Sequence, residues 1–252
     1  MDNYQNSIAV SGTHGKTTTT SMISQILLAA KKDPTITVGG ILKAIDGNLR
    51  VGKSDVFISE ACEYTNSFLN FRPKYSIILN IEAEHLDFFK DIDDIRHSFR
   101  RFAELLPADG TLIINADTPK YEMVAENLPC KVITYGLEHD AEYTASDITY
   151  DEFGHPTFHV LHNGEDIGTC SQKVPGIHNV SNALASIAAG RLLGLDNEVI
   201  FAGLKDFGGT DRRFQYKGKV GEVTIIDDYA HHPTEIEATL HAAHNYPHKK
   251  IW

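Results

Sequence analysis

The chain has 252 residues, of which 42% are hydrophobic and 23% are charged, a composition typical of an ordinary globular protein. Acidic residues (34) outnumber basic ones (23) and give a formal net charge of −11, which argues against a nucleic-acid-binding or membrane-binding surface, because both need a basic patch. An anionic ligand would therefore have to be held by local positive groups and by metal ions.

Cysteine content and hydropathy indicate where the protein works. No apolar run approaches the roughly 18 residues that predict a membrane span, and residues 1–6 show no export signal. Cys62, Cys130 and Cys170 are too few and too widely spaced for a disulfide framework or a Cys-x-x-Cys metal site. We therefore expect a cytoplasmic protein in which the three cysteines are small buried apolar residues.

The first predicted elements are a short strand at residues 7–10 and a helix from about residue 17 to residue 30. Residues 11–17 between them read Ser-Gly-Thr-His-Gly-Lys-Thr, and such a loop between a strand and a helix is typical of phosphate binding. Its glycines let backbone N–H groups turn inward, and the helix N-terminus adds partial positive charge. The expected ATP contacts are Gly12, Thr13, His14, Gly15, Lys16, Thr17 and Thr18.

Two side chains of this loop have specific expected roles. Lys16 would reach the β- and γ-phosphates of ATP, and the Thr17 hydroxyl would ligate Mg²⁺. The match to the general phosphate-loop pattern is incomplete, because Val10 stands at the first glycine position. The alternative is a glycine-rich turn with a solvated lysine.

Apolar strands and helices then alternate, which predicts a mainly parallel sheet of the P-loop type with helices on both faces. The predicted elements are strands at 36–38, 55–60 and 75–80, a helix from about 92 to 106, and strands at 111–114 and 131–135. In such sheets ligands bind beyond the carboxyl ends of the strands. We therefore expect the loop, Glu60 and the acidic segment 82–87 at one edge.

Glu60 ends its strand, and a carboxylate there suits Mg²⁺, which prefers oxygen ligands. Glu63, slightly further along, is a competing candidate, and a solvated glutamate is the plain alternative. His85 lies in the acidic segment, where the residues alone favour an ordinary surface histidine, because imidazole is not a preferred ligand for Mg²⁺.

The pattern changes after residue 141, where short alternating strands with turn signals predict an antiparallel hairpin extension. Two helices follow, at about 180–193 and 197–207. A strand at 222–228 opens a new domain, with the boundary near 214–218. Residues 249–252 are interpreted as a further strand just beginning, and we expect a fragment of a longer enzyme.

Two pairs of like residues near this boundary leave alternatives open. Arg212 and Arg213 are either solvated charges on a linker or an arginine delivered to the γ-phosphate of ATP by domain closure. His231 and His232 suggest a transition metal, but no third ligand at helical or hairpin spacing accompanies them, so a zinc site is disfavoured.

Six motifs in order resemble the Mur ligase family, most closely its branch that joins L-alanine to UDP-N-acetylmuramate in peptidoglycan synthesis. They are residues 11–20 (SGTHGKTTTT), 60–69 (EACEYTNSFL), 80–87 (NIEAEHLD), 175–185 (PGIHNVSNALA), 209–214 (GTDRRF) and 227–235 (DDYAHHPTE). The resemblance implies a central ATP-binding domain at 1–216 and the truncated start of a Rossmann-like C-terminal domain at 217–252.

The resemblance also implies roles for single residues and for the cofactors ATP and Mg²⁺. Catalytic roles fall to Lys16, His85, Arg213 and His231, with Arg213 on the γ-phosphate and His231 and the following His232 near the amino-acid site. Metal ligation falls to Thr17 and Glu60 for the ATP-bound Mg²⁺ and to His85 for a second metal. Adenine recognition falls to Asn179 and Asn182 with His178 nearby, and ribose or nucleotide contact to Asp228.

In the implied reaction ATP phosphorylates a carboxylate, and an amine displaces phosphate from the acyl phosphate. Between Lys90 and Asn115 the chain has no lysine to carry the carbamate group of several relatives. The resemblance implies that the family's N-terminal UDP-binding domain and most of its C-terminal domain lie outside these 252 residues, so we expect no ligation by this polypeptide alone. The alternatives are a muramyl-tripeptide ligase, a folylpolyglutamate-type ligase, a P-loop NTPase or kinase, and a non-enzymatic ATP-binding module.

Overall fold

A sheet of ten strands dominates the computed structural model, which describes residue 1 and residues 3–252. Its strands are β1 (Asn6–Ser11), β2 (Thr35–Leu42), β3 (Gly47–Arg50), β4 (Val56–Glu60), β5 (Tyr75–Ile78), β6 (Thr111–Asn115), β7 (Lys131–Tyr135), β8 (Tyr143–Tyr150), β9 (Pro156–His162) and β10 (Glu165–Ser171). The helices are α1 (Lys16–Ala29), α2 (Ile92–Ala103), α3 (Glu122–Ala125), α4 (Ile177–Leu192), α5 (Asn197–Asp206) and α6 (Pro233–His244). A separate two-stranded sheet consists of β11 (Gln215–Val220) and β12 (Val223–Asp227).

The centre of the large sheet is parallel and its two edges are antiparallel. The strand order is β10-β9-β8-β7-β6-β5-β1-β4-β2-β3, and the strands from β8 to β2 run parallel to their neighbours. β9 and β10 form an antiparallel extension at one edge, and β3 pairs antiparallel with β2 at the other. The predicted mainly parallel sheet and its hairpin extension are thereby confirmed.

Two hydrophobic cores cover the two faces of the sheet. Successive residues of a strand point to opposite faces, so Ile77 packs with α1, α4 and α5 on one side, whereas Ile78 packs with α2 on the other. α2 begins after Asp91, whose carboxylate accepts the backbone N–H groups of Asp93 and Asp94 and caps the helix. These cores hold the strand ends rigidly at the edge that carries the site.

Residues 215–244 form a smaller unit from β11, β12 and α6. The predicted strand at 249–252 is wrong: these residues are irregular, because no neighbouring strand in the described part of the chain pairs with them. Cys130 and Cys170 are buried as expected, but Cys62 is exposed, since it lies on the loop that leaves β4 and not in a strand. No helix among the described residues is both long and apolar enough to cross a membrane.

Candidate active site

The phosphate loop, residues 11–17, lies at the carboxyl ends of the central parallel strands. It leaves β1 and enters α1, and β1 lies between β4 and β5 in the sheet. Val10 at the end of β1 is paired with Glu60 on one side and with Ile77 on the other. The loop, Glu60 and the segment that follows β5 are therefore side by side at the carboxyl ends of the central strands.

Asn80, just after β5, holds the loop through its amide and its backbone. The backbone N–H of His14 donates to Asn80 Oδ1 at 2.7 Å, and Asn80 Nδ2 donates to the carbonyl oxygen of His14 at 3.1 Å. The N–H of Thr13 donates to the Asn80 carbonyl at 3.2 Å. Gly15 then turns the chain into α1 with φ of 82°, a conformation that favours glycine.

Lys16 lies across the loop with its ammonium group satisfied from several sides. Its Nζ donates to the carbonyl oxygens of Gly12, at 2.5 Å, and Thr13, at 3.0 Å. It also lies 3.1 Å from a carboxylate oxygen of Glu63, which is only 2% exposed. A buried carboxylate needs such a partner, so Glu63 and Lys16 form a charged pair directly under the loop.

Thr17 and Glu60 form an oxygen-rich pair beside the loop. Thr17 Oγ1 donates to Glu60 Oε2 at 3.2 Å, while Glu60 Oε1 accepts the N–H of Gly39 at 2.5 Å. A side chain at position 39 would put its Cβ 2.9 Å from Glu60 Oε2, so glycine is needed for this close approach. The carboxylate is thus fixed between β2 and the first turn of α1.

A second group of metal-ligating side chains lies next to the first. Glu63, Glu84 and His85 each offer a ligand atom, and these atoms lie within 4.8 Å of one another. His85 Nε2 is 3.8 Å from Glu63 Oε1 and 3.7 Å from Glu84 Oε2, and its ring stacks on Tyr64 with centroids 4.4 Å apart. Glu63 therefore lies between Lys16 and His85, whereas Glu60 accompanies Thr17.

A cavity of about 440 Å³ opens beside the loop and is walled on one side by the first turns of α4. Asn179 and Asn182 are buried in this wall, with Asn182 Nδ2 donating to Asn179 Oδ1 at 3.2 Å. His178 lines the cavity, and desolvation by the protein atoms around its ring lowers its pKa to about 4. The imidazole is thus neutral at pH 7, a form suited to a nucleobase.

Residues that follow α5 in the sequence form the opposite wall of the cavity, and they include Arg213 and Asp228. The carboxylate of Asp228 accepts two backbone N–H groups at 2.7 Å, those of Phe214 and Ala230, and so ties the segment before β11 to the one after β12. Arg213 Nη1 lies 3.4 Å from Glu235 Oε1 on α6.

Charged contacts join the phosphate loop to α6. His14 Nδ1 lies 3.3 Å from Glu235 Oε1, and His14 Nε2 lies 3.5 Å from Glu82 Oε2. Burial on its own lowers the pKa of His14, but these two carboxylates outweigh it and raise the pKa to about 9. Burial likewise raises the pKa of Glu235, yet His14 and Arg213 bring it to about 2. Both groups are therefore charged at pH 7 and attract each other.

The structure brings the residues singled out in the sequence into one region. The phosphate loop, Glu60, His85 and both walls of the cavity are contiguous, and His231 reaches the second group with its Nε2 4.0 Å from Glu84 Oε1. Sequence reasoning assigned no role to Glu82, Glu84 or Glu235. For Glu82 and Glu84 the residues themselves gave a signal only in the density of carboxylates in segment 82–87, and Glu235 had no local signal, because the partners of these glutamates come from distant parts of the chain.

Comparison with known families assigns nearly the whole chain. The model of the Mur ligase middle domain matches residues 10–190, and the model of the Mur ligase glutamate ligase domain matches residues 212–252.

Individual relatives agree with the family models. The chain is 64% identical to the UDP-N-acetylmuramate–L-alanine ligase of Agathobacter rectalis and 52% identical to that of Caldanaerobacter subterraneus subsp. tengcongensis. Each match covers 100% of this chain and 55% of the relative, so the chain spans about half the length of the curated relatives it matches.

Solved structures give the same picture. A UDP-N-acetylmuramate-alanine ligase from Thermotoga maritima is 31% identical with a TM-score of 0.84, over 97% of this chain and 55% of that one. A murein peptide ligase from Psychrobacter arcticus is 29% identical with a TM-score of 0.77, over 96% of this chain and 55% of that one.

Proposed function

The chain belongs to the Mur ligase family, and on that premise we propose that it forms the ATP-binding core of a ligase that joins L-alanine to UDP-N-acetylmuramate. The proposal concerns the whole protein, since the chain spans 55% of the relatives that carry this name. We propose a central domain at residues 1–216 and the start of a second domain at 217–252. Peptidoglycan synthesis is the process that this reaction serves.

One observation carries the proposal: a phosphate loop, two groups of metal-ligating side chains and a cavity of about 440 Å³ meet at one sheet edge. In parallel sheets of this kind, ligands occupy that edge. The cavity extends from Gly15 to Asn179 and Asn182, and the neutral His178 lies beside them. This arrangement suits a nucleotide with its phosphates on the loop and its base against α4.

The residues present fit a magnesium ion on the nucleotide. Thr17 Oγ1 and Glu60 Oε2 lie 3.2 Å apart. That separation is close to the roughly 2.9 Å between adjacent ligands of an octahedral Mg²⁺ with bonds of about 2.05 Å. Glu63, Glu84 and His85 would hold a second ion. The ions would neutralise phosphate charge in this acidic protein.

The proposed reaction has two steps. A carboxylate oxygen of UDP-N-acetylmuramate attacks the γ-phosphorus of ATP, the bond to the bridging oxygen breaks, and ADP leaves. The amine of L-alanine then attacks the acyl carbon and loses a proton, and phosphate leaves with the bonding electrons. Lys16 and Arg213 stabilise the charge that develops on the transferred phosphoryl group.

The part of the site that would bind the carboxylate and amine substrates lies towards Glu63, Glu84 and His85. His231 extends from the segment after β12 to within 4.0 Å of Glu84 Oε1. A cation held by His85 and its neighbours would orient a substrate carboxylate there, and His231 would lie beside the incoming amine. The remaining contacts to both substrates would come from the rest of the complete protein.

Calorimetry of ATP with excess Mg²⁺ on this chain tests the core of the proposal. We expect one binding site, weakened at least about tenfold by Lys16→Ala, because a hydrogen bond to a charged group contributes about 1.5–3 kcal/mol. Lys131→Ala is the matched control. That exposed lysine is the first residue of β7, so it lies at the amino-terminal ends of the parallel strands, away from the phosphate loop. Equal ATP affinity of Lys16→Ala and the parent chain would contradict the assignment of the loop.

The acceptor is tested on the complete protein by phosphate release from ATP. We expect release to require UDP-N-acetylmuramate and L-alanine together. Release with a tripeptide but not with L-alanine would favour the peptide-adding branch of the family. Release without any amine would favour a simple NTPase.

A further inference from the structure

Three side chains from distant parts of the sequence converge at the junction of the phosphate loop and α6. They are His14 of the loop, Glu82 after β5, and His232, which immediately precedes α6. Each offers one ligand atom, and these atoms lie within 4.8 Å of one another. None of them belongs to the Thr17–Glu60 pair or to the group of Glu63, Glu84 and His85.

The spacing of this cluster is close to that of a metal site. Zn²⁺ binds nitrogen and oxygen ligands at about 2.0–2.2 Å, so neighbouring ligands of a tetrahedral site lie about 3.3 Å apart. Glu82 Oε2 lies 3.5 Å from His14 Nε2 and 4.0 Å from His232 Nδ1. The two imidazole rings lie with centroids 4.6 Å apart. Small side-chain movements would complete the geometry.

The orientation of His14 is the most specific feature of the cluster. Its Nδ1 is held by Glu235 at 3.3 Å, while its Nε2 is buried and has no hydrogen-bond partner among the described residues. A carboxylate on one ring nitrogen that directs the other nitrogen towards a metal is the usual arrangement around metal-binding histidines. Because His14 is protonated at pH 7 without a metal, the ion binds by displacing the proton on Nε2.

Thr234 contacts the other two ligands, Glu82 and His232, in different ways. Its hydroxyl donates to Glu82 Oε2 at 2.8 Å, as is common for ligating carboxylates. Its backbone N–H donates to His232 Nδ1 over a long 3.3 Å, a hydrogen bond that an ion would replace.

We propose that His14, Glu82 and His232 form a binding site for a transition-metal ion of the Zn²⁺ class. Two imidazoles and one carboxylate suit such an ion and do not suit Mg²⁺, which prefers oxygen ligands. His14 and Glu82 also line the cavity, so the fourth position is open to water or to a ligand oxygen there. The bound ion joins the phosphate loop to α6.

The sequence alone disfavours a zinc site at His231 and His232, because no third ligand accompanies them at helical or hairpin spacing. The cluster uses only His232 of that pair. Its other two ligands come from positions 14 and 82 by tertiary contact. His231 points instead towards Glu84 and is largely exposed.

The test is a titration of this chain with Co²⁺, followed by visible absorption, and with Zn²⁺, followed by calorimetry. No nucleotide is present, so the outcome is independent of the proposed ATP site. His85→Ala serves as the background in every sample, which removes the second group as a competing site. We expect one equivalent of Co²⁺ to give the d–d absorption of a four-coordinate site, and Zn²⁺ to displace it.

In this background we expect His232→Asn and Glu82→Gln each to weaken Zn²⁺ binding at least tenfold. His231→Asn is the matched control and should retain the parental affinity. Circular dichroism checks that each variant is folded, and Glu82→Gln keeps the size of the side chain if His232→Asn is unstable. Equal affinity of His232→Asn and His231→Asn, or parental affinity of Glu82→Gln, would overturn the proposal.

Discussion

Replacing Gly15 with alanine tests how tightly the phosphate loop is enclosed. Gly15 has φ of 82°, and an alanine Cβ there would lie 2.8 Å from Asn182 Oδ1 and 3.2 Å from Leu79 Cδ1. Gly164 at the tip of the β9–β10 hairpin has nearly the same φ, 80°, but its Cβ would meet nothing within 4 Å. Comparing Gly15→Ala with Gly164→Ala therefore separates the free-energy cost of the left-handed backbone conformation from the cost of the steric clash.

The expected magnitudes follow from this difference. A left-handed conformation costs an alanine about 1–2 kcal/mol, and this cost applies equally to Gly15→Ala and Gly164→Ala. Overpacking at Gly15 adds about 1–3 kcal/mol. Asn182 can move away only by giving up its buried hydrogen bond to Asn179, so movement relieves the clash only in part.

Urea denaturation of both variants measures the free energy of unfolding, and calorimetry measures ATP affinity. We expect Gly15→Ala to lose about 1–3 kcal/mol more stability than Gly164→Ala and to bind ATP more weakly, because the clash displaces Asn182 from the cavity wall. Equal losses of stability in the two variants would refute the reasoning, because Asn182 would then move away from the added Cβ at no cost in free energy.

Two further predictions concern charge and helix packing. Because the folded chain raises the pKa of His14 from 6.5 to about 9, its ion pairs stabilise the fold fully below pH 6.5 and lose that effect as the pH rises through 9. After allowance for solvent screening, we expect His14→Asn to be about 1–2 kcal/mol less stable than the parent at pH 6, and this difference to shrink by pH 10. Urea denaturation with EDTA present measures it at both pH values. A difference in stability that stays constant with pH would contradict the prediction. Gly203→Ala should destabilise by about 1–3 kcal/mol, because its Cβ would lie 2.7 Å from the backbone Cα of Ile26 on α1. Gly190→Ala would place its Cβ 2.9 Å from Cγ1 and Cδ1 of Ile200, which are side-chain and not backbone atoms, and should cost less when both variants are measured by urea denaturation.

The sheet could be predicted because its strands are short apolar runs between helices. β5 and β6 are buried on both faces, so their sequences are almost continuously apolar and easy to recognise. β3 and β11 were missed for the opposite reason. Both are largely exposed and carry glycine, asparagine or lysine, so no apolar alternation marks them.

The site was predictable only as far as strand ends reveal it. Glu60 ends β4, and its position beside the loop follows from the strand order. The choice between Glu60 and Glu63 did not follow, because Glu63 lies in the irregular segment between the end of β4 and Tyr64, and no periodicity encodes the path of such a segment. The contact of His14 with Glu235 joins the two ends of the chain and has no local signal at all.

The hydrogen bond between Glu82 and Thr234 joins residues 152 positions apart. Closing so long a loop is costly in chain entropy, so such contacts form slowly compared with helices and neighbouring strands. Neighbouring strands of the sheet use nearer partners, whereas the packing of α1 against α4 and α5 needs a closure of similar length. We therefore expect the phosphate loop to acquire its native surroundings late in folding, once α4, α5 and α6 have docked, so that a chain whose strands have paired still lacks a finished nucleotide site until its last elements arrive.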